Sequence, residues 1–155
     1  MVFVFYPDLL FARNITNYKD TISTSSPETG ANHTLSFNLG TAIDPSGYIE
    51  ITPPDDFEIL STSTFTADRN VELYVNGTAR AAGSVFGPAT DLVEIFPGLP
   101  GSIRYTLNSS TGIAAGSSLE LRIGNHTSNS LAFSETYSTT TGTTTIEADI
   151  KPIIN

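Results

Sequence analysis

The sequence predicts an all-β domain folded as two packed sheets, and three observations carry that reading. Apolar residues recur at every second position in short runs, turn signals separate those runs by about eight to twelve residues, and no stretch keeps a helical period over several turns. The chain has 155 residues, enough for a single core. No exact repeat and no long linker divides it, and two segments are predicted: a hydrophobic N-terminal strand over 1–12 and a β-sandwich domain over 13–155.

The opening run, MVFVFYPDLLFA, is the first element to justify. Val2, Phe3, Val4, Phe5 and Tyr6 are β-branched or aromatic, and in an extended chain they place apolar side chains on both faces, which asks for burial on both. As a secretory signal the run lacks a basic leading region and is interrupted at Pro7-Asp8, so it would be a residual piece of one. As a helix its twelve residues reach about 18 Å, well short of the roughly 30 Å of bilayer hydrocarbon. Extended from Val2 to Phe11 it spans about 33 Å, the length of a whole sheet.

Two homes are open to such a strand. It completes its own domain, or it inserts into a groove of the next subunit by strand addition, a head-to-tail contact that does not close and builds a filament. Burying Phe3, Phe5, Leu9, Leu10 and Phe11 contributes on the order of 10 kcal/mol, against an association cost of about 4 to 15 kcal/mol. In the second arrangement Val2, Phe3, Val4, Phe5, Leu9 and Phe11 are the donor-strand anchors, and Arg13, Asn14, Ile15, Thr16 and Asn17 form the connector between subunits.

Beyond the opening run the elements follow from alternation. HTLSFNLG sets Leu35, Phe37 and Leu39 on one face and Thr34, Ser36 and Asn38 on the other. Asp44-Pro45-Ser46-Gly47 has the preferences of a type I turn and predicts a hairpin into YIEI, with Ile49 and Ile51 inward. Pro53-Pro54 marks an edge or corner before Phe57 and Ile59 return to the core. Val71, Leu73 and Val75 alternate with Glu72 and Tyr74, and Asn76-Gly77 turns the chain into Thr78 to Ala82 as a second hairpin. Leu92 to Phe96, SIRYTL (Ile103, Tyr105, Leu107) and SLELRIG (Leu119, Leu121, Ile123) repeat the pattern. SLAFSETYS and TTTIEADI, with Ile146, Ala148 and Ile150 on one face, continue it to the end.

Composition narrows the function classes. Seven basic against sixteen acidic residues give a formal charge of -9, which repels nucleic acid and anionic lipid, and no basic cluster offsets it. Cysteine is absent, so disulfides, thiolate nucleophiles and thiolate metal sites are excluded together. Abundant serine and threonine with sparse lysine and glutamate suit the strands and turns of a secreted β-protein, so an extracellular or cell-surface location is expected. Five Asn-X-Ser/Thr triplets, at Asn14, Asn32, Asn76, Asn108 and Asn125, are candidate N-glycosylation sites or simply turn chemistry.

Two longer stretches, ANHTLSFNLGTAIDPSGYIEITPPDDF and LNSSTGIAAGSSLELRIGN, carry a resemblance. Their T-x-x-F strand, G-x-I-x-I-x-x-P-x-x-F hairpin and late G-I-x-A-G-x-x-L-x-L-x-I strand are similar to the immunoglobulin-like β-sandwich modules of large secreted and surface-anchored bacterial proteins. The likeness covers roughly Thr21 to Asn125 and implies that fold, with adhesion, spacing or fibre building as the associated roles. The opening run and the closing IEADIKPIIN lie outside it.

A catalytic site is not expected. His33 and His126 both sit in Asn-His-Thr triplets, where an exposed imidazole is ordinary; as a metal pair they lack a third ligand at a recognisable spacing. No G-x-S-x-G elbow is present. Glu50, Glu72, Glu94 and Glu120 take outward strand positions, and Asp55-Asp56 would bind calcium only with a loop partner. No cofactor is expected. The sequence therefore predicts the structural subunit of an extracellular filament or surface layer, a homopolymer linked head to tail by its N-terminal strand. The rival is a carbohydrate-binding or adhesive module that meets surface glycans through exposed aromatics such as Tyr48, Tyr74 or Tyr137.

Overall fold

A computed structural model describes residues 14–23, 32–53, 59, 71–98, 100–124 and 127, and the backbone of 153–154. These residues form ten strands and no helix: β1 (Ile15–Ile22), β2 (His33–Leu39), β3 (Tyr48–Thr52), β4 (Val71–Val75), β5 (Thr78–Ala79), β6 (Ala82–Gly83), β7 (Asp91–Phe96), β8 (Ser102–Thr106), β9 (Ser118–Ile123) and β10 (Ile153–Ile154). One sheet runs β1-β2-β9-β4-β5 and the other β10-β3-β8-β7-β6. Every pairing is antiparallel except β6 with β7. Among the described residues no helix is long and apolar enough to cross a membrane.

The alternation read from the sequence sets the core. Leu35, Phe37 and Leu39 from β2, Leu119, Leu121 and Ile123 from β9, and Val71 and Leu73 from β4 are buried on one sheet. Ile49 and Ile51 from β3, Ile103 and Tyr105 from β8, and Val93 from β7 are buried on the other, and all join one apolar cluster. Each fully buried aliphatic or aromatic side chain contributes about 1.5 to 3 kcal/mol. The Asn76-Gly77 hairpin is present as a two-residue turn: both residues have positive φ, 51° and 78°, and Val75 pairs with Thr78. Its second strand is short. After Ala79 the chain leaves for the other sheet as β6.

The expected β2–β3 hairpin is corrected by the topology, because β2 and β3 belong to different sheets. The Asp44–Gly47 turn does close, with Gly47 N donating to Asp44 O at 2.9 Å, but Ser46 has φ 64°, the third-residue geometry of type II rather than type I. The turn lies on an arch between sheets, and a second arch from β8 to β9 runs beside it. Leu39 N donates to Ser117 O, Ile43 and Ile113 exchange both backbone bonds, and Leu107 N donates to Gly47 O. The β2/β9 ladder thus continues as a bent ribbon into the β3/β8 ladder. Gly112 makes the close approach: a Cβ there would overlap the carbonyl oxygen of Ile43.

β1 was not legible as a strand. ITNYKDTI pairs antiparallel with β2 from Ile15↔Leu39 to Ile22↔His33, but a bulge shifts the register between Thr16 and Lys19, with Asn17 at φ 55°. The bulge breaks the period of two, and most of the strand is exposed, so no alternation announces it. Residues 1–13, the run 131–150 with its two predicted strands, and Phe57 lie outside the described residues. Ile59 is buried and bridges Gly98, as its predicted return to the core requires.

Candidate functional site

Two regions combine polar chemistry with special placement, and the first lies where the chain passes from β5 to β6. Asp91, at the start of β7, has a fully buried carboxylate with both oxygens occupied. Arg80 grips it in a two-point fork, Nε to Oδ2 at 2.6 Å and a terminal nitrogen to Oδ1 at 2.9 Å. The Tyr105 hydroxyl donates to Oδ2 at 3.0 Å, and Asn108 donates to Oδ1 through its backbone N at 2.6 Å and Nδ2 at 2.9 Å. Asn108 Oδ1 in turn accepts from the backbone N–H groups of Ser110 and Thr111, while Arg80 donates to Thr111 O.

This arrangement ties the β8–β9 arch to β7 and to the link from β5. Its electrostatics are those of a closed network. The hydrogen bond to Asp91 raises the Arg80 pKa against the opposing effect of burial. Burial, followed by the Asp91 charge and hydrogen bond, holds the Tyr105 phenol well above its ordinary value, so it remains a proton donor to the carboxylate. With all of these groups engaged with one another, the network holds the fold.

The second region is the margin of the molecule at β1 and β3. The bent ribbon places β2 and β3 on the same side, so their outer neighbours, β1 and β10, face each other across the two sheets. The register sets Ile15, Asp20 and Ile22 of β1 on the inner face with Leu39, Leu35 and His33. That face is thinly covered: Ile22 is 37% exposed and Tyr18, at the bulge, 40%. Burial and then the Asp20 carboxylate raise the Tyr18 pKa. Asp20 Oδ2 lies 2.9 Å from Nδ1 of the buried His33, whereas Asp20 Oδ1 is buried with no hydrogen-bond partner among the described residues.

Opposite, among the described residues β10 pairs with Thr52 and Ile51 of β3. Gly47 O accepts from Leu107 N, so alternation along the antiparallel strand turns the backbone amides of Tyr48 and Glu50 away from β8, toward the outer edge. Among the described residues no strand pairs with Tyr48 to Glu50 on that side. Among the described residues the margin thus has backbone donors along the β3 edge, apolar side chains on β1, and a buried carboxylate oxygen without a hydrogen-bond partner.

The outer faces of the sheets carry separate aromatic clusters. On the β3/β8/β7 face Arg104 bonds Glu50 at 3.1 Å, with its guanidinium carbon 5.0 Å from the ring centre of Tyr48 and 5.9 Å from that of Phe96. Glu94 flanks Arg104 from β7 by register. Tyr48 is 51% exposed and Phe96 43%. On the other sheet Arg122 bonds Glu120 at 2.7 Å and stacks over Tyr74 at 4.5 Å. Tyr48 and Tyr74 thus belong to opposite faces. The Tyr48–Arg104–Phe96 group was invisible in sequence because its members come from three strands.

The other expected positions distribute as follows. Val2, Phe3, Val4, Phe5, Leu9, Phe11 and Arg13 lie outside the described residues, as do Asn125, His126, Tyr137, Asp55 and Asp56. Asn14 is exposed just before β1, and Ile15, Thr16 and Asn17, expected in a connector, are the first residues of β1 itself. His33 is fully buried beside Asp20, which corrects the expectation of an exposed imidazole. Among the described residues no three His, Cys, Asp or Glu groups gather as a metal site.

Of the glycosylation candidates, Asn14 and Asn76 are exposed and Asn32 half-buried. Asn76 Oδ1 accepts from Ser118 N. Asn108 is corrected as a candidate: it is buried, and its Nδ2, the atom that would carry a glycan, donates to Asp91. No protein-family model, curated protein or solved structure matches the chain.

Proposed function

We propose that this chain is a structural subunit of an extracellular filament or surface layer, with an immunoglobulin-like sandwich body and an N-terminal apolar segment that serves as a donor strand for the neighbouring subunit. The observation that carries the reading is the margin between β1 and β3, where a β3 edge covered over two residues faces a thinly covered inner face of β1. The apolar run leads directly into β1, so each subunit presents a segment in need of cover beside a sheet in need of a strand. The link between subunits runs through Arg13 and Asn14, since Ile15 to Asn17 are part of the sheet. Glycans at the exposed Asn14 and Asn76 are compatible with an outer surface.

The test is negative-stain electron microscopy of the full chain and of a chain lacking residues 1–12, with circular dichroism to monitor the fold. Fibres or ordered layers from the full chain alone, with the same β-spectrum in both, are the expected result. Fibres from the truncated chain would sink the donor-strand reading.

A second reading rests on the exposed Tyr48 and Phe96 rings beside Arg104. Aromatic faces next to a guanidinium suit an adhesive module that stacks on sugar rings. Glycan-array binding by the monomer, lost in Tyr48→Ala, would favour this reading; no binding to any glycan would remove it.

A further inference from the structure

The geometry points to the place where a donor strand is received: residues 2–11 of a second copy lie along the outer edge of β3, in place of β10, beneath the inner face of β1. This inference rests on the donor-strand reading above and adds the acceptor.

Three features single out this edge. β1, though long, is poorly suited to extension on its outer edge, because its bulge at Asn17 and its exposed Lys19 are devices that blunt a strand against further pairing. β5 and β6, at the far margins of the two sheets, span two residues each. β3 is five residues long, β10 pairs with two of them among the described residues, and the Tyr48 and Glu50 amides point outward from it.

The occupant follows from the walls of the slot. A strand in this position has one face against the inner side of β1, where Ile22 and Tyr18 stand partly exposed, and its other face on the outer surface beside Tyr48. Residues 2–11 carry apolar side chains on both faces, so that one set meets the inner side of β1 and the other lies on the outer surface beside the Tyr48 ring. At about 33 Å they overreach the roughly 16 Å of β3 and exceed the roughly 27 Å of β1 by about two residues.

The absence of cysteine makes the test direct. Full-length chains carrying a single donor cysteine, Val4→Cys or Phe5→Cys, are mixed under oxidising conditions with chains carrying a single acceptor cysteine. The acceptors are Glu50→Cys on β3, Thr21→Cys on β1 and Thr78→Cys on β5. A covalent dimer that forms with Glu50→Cys and is absent with Thr21→Cys and Thr78→Cys is the expected result. Cross-linking through Thr21→Cys instead assigns the donor to the outer edge of β1 and overturns the inference while leaving the donor-strand reading intact, provided fibres still require residues 1–12. A disulfide that closes within one chain carrying both Val4→Cys and Glu50→Cys shows that the protein fills its own slot and overturns it too. Fibres that persist without residues 1–12 overturn the reading and the inference together.

Discussion

Asp91 and Asp20 both turn a carboxylate oxygen into the protein, and their surroundings could hardly differ more. Asp91 has five donor contacts on its two oxygens, all from its own chain, and closes the arch end of the fold. Asp20 has one oxygen beside His33 and the other, though buried, without a partner among the described residues, at a margin where Ile22 and Tyr18 remain partly exposed. A buried charge is tolerated only with its hydrogen bonds complete. The contrast separates a region that the described residues complete among themselves from one that the proposed donor strand would complete.

Substitutions in the two regions should accordingly have opposite signatures, large on stability at the arch and small at the margin. The largest effect is expected from Asp91→Ala, which strands the mostly buried Arg80 cation and removes the acceptor of Tyr105 and Asn108; urea denaturation should show a loss of about 3 to 5 kcal/mol. A loss under about 1 kcal/mol would mean that the network does not hold the arch. Gly112→Ala comes next, at about 1 to 3 kcal/mol, because the added methyl meets the Ile43 carbonyl within the bent ribbon.

Tyr105→Phe should cost about 1 to 2 kcal/mol, since it removes one of the donors to Asp91 and leaves the others. It also carries a pH signature. The folded state raises the pKa of Tyr105, so the unfolded chain loses this proton first as the solution becomes alkaline. The associated stability is fully present below the ordinary tyrosine value of about 10 and declines as pH rises beyond it. Tyr18 is shifted in the same direction and keeps part of that slope in the variant. Stability measured between neutral and strongly alkaline pH should therefore fall less steeply in Tyr105→Phe than in the parent.

The smallest effect on the isolated domain is expected from Ile22→Thr at the margin. In a chain lacking residues 1–12 it should change stability by no more than about 0.5 kcal/mol, because the side chain is already exposed, while in the full chain it should weaken assembly as followed by sedimentation. A large loss of stability in the truncated chain would erase the distinction between the two regions.

The strands with an uninterrupted period of two were legible in the sequence, because burial on one face writes itself directly into HTLSFNL, VELYV, SIRYT and SLELRI. The assignment of strands to sheets was not. Asp44-Pro45-Ser46-Gly47 has the composition of a hairpin turn, and only the long-range Ile43–Ile113 bridge reveals that it sits on an arch between sheets. β1 escaped because a bulge disrupts its alternation and an exposed edge leaves little apolar signal. The Asp91 network escaped for a related reason: Arg80, Asp91, Tyr105 and Asn108 are spread along the chain, and a buried aspartate looks in sequence like any acidic residue at a strand start. The same burial removes Asn108 from the sequons, which local sequence alone cannot do.

The central claim is that the outer edge of β3 is completed by a strand from a neighbouring subunit. Hydrogen exchange at the backbone amides of Tyr48 and Glu50, compared between the assembled full chain and the chain lacking residues 1–12, tests it most directly. Strong protection of both amides in the assembly and rapid exchange in the truncated protein is the predicted result. Equal exchange in the two states would contradict it.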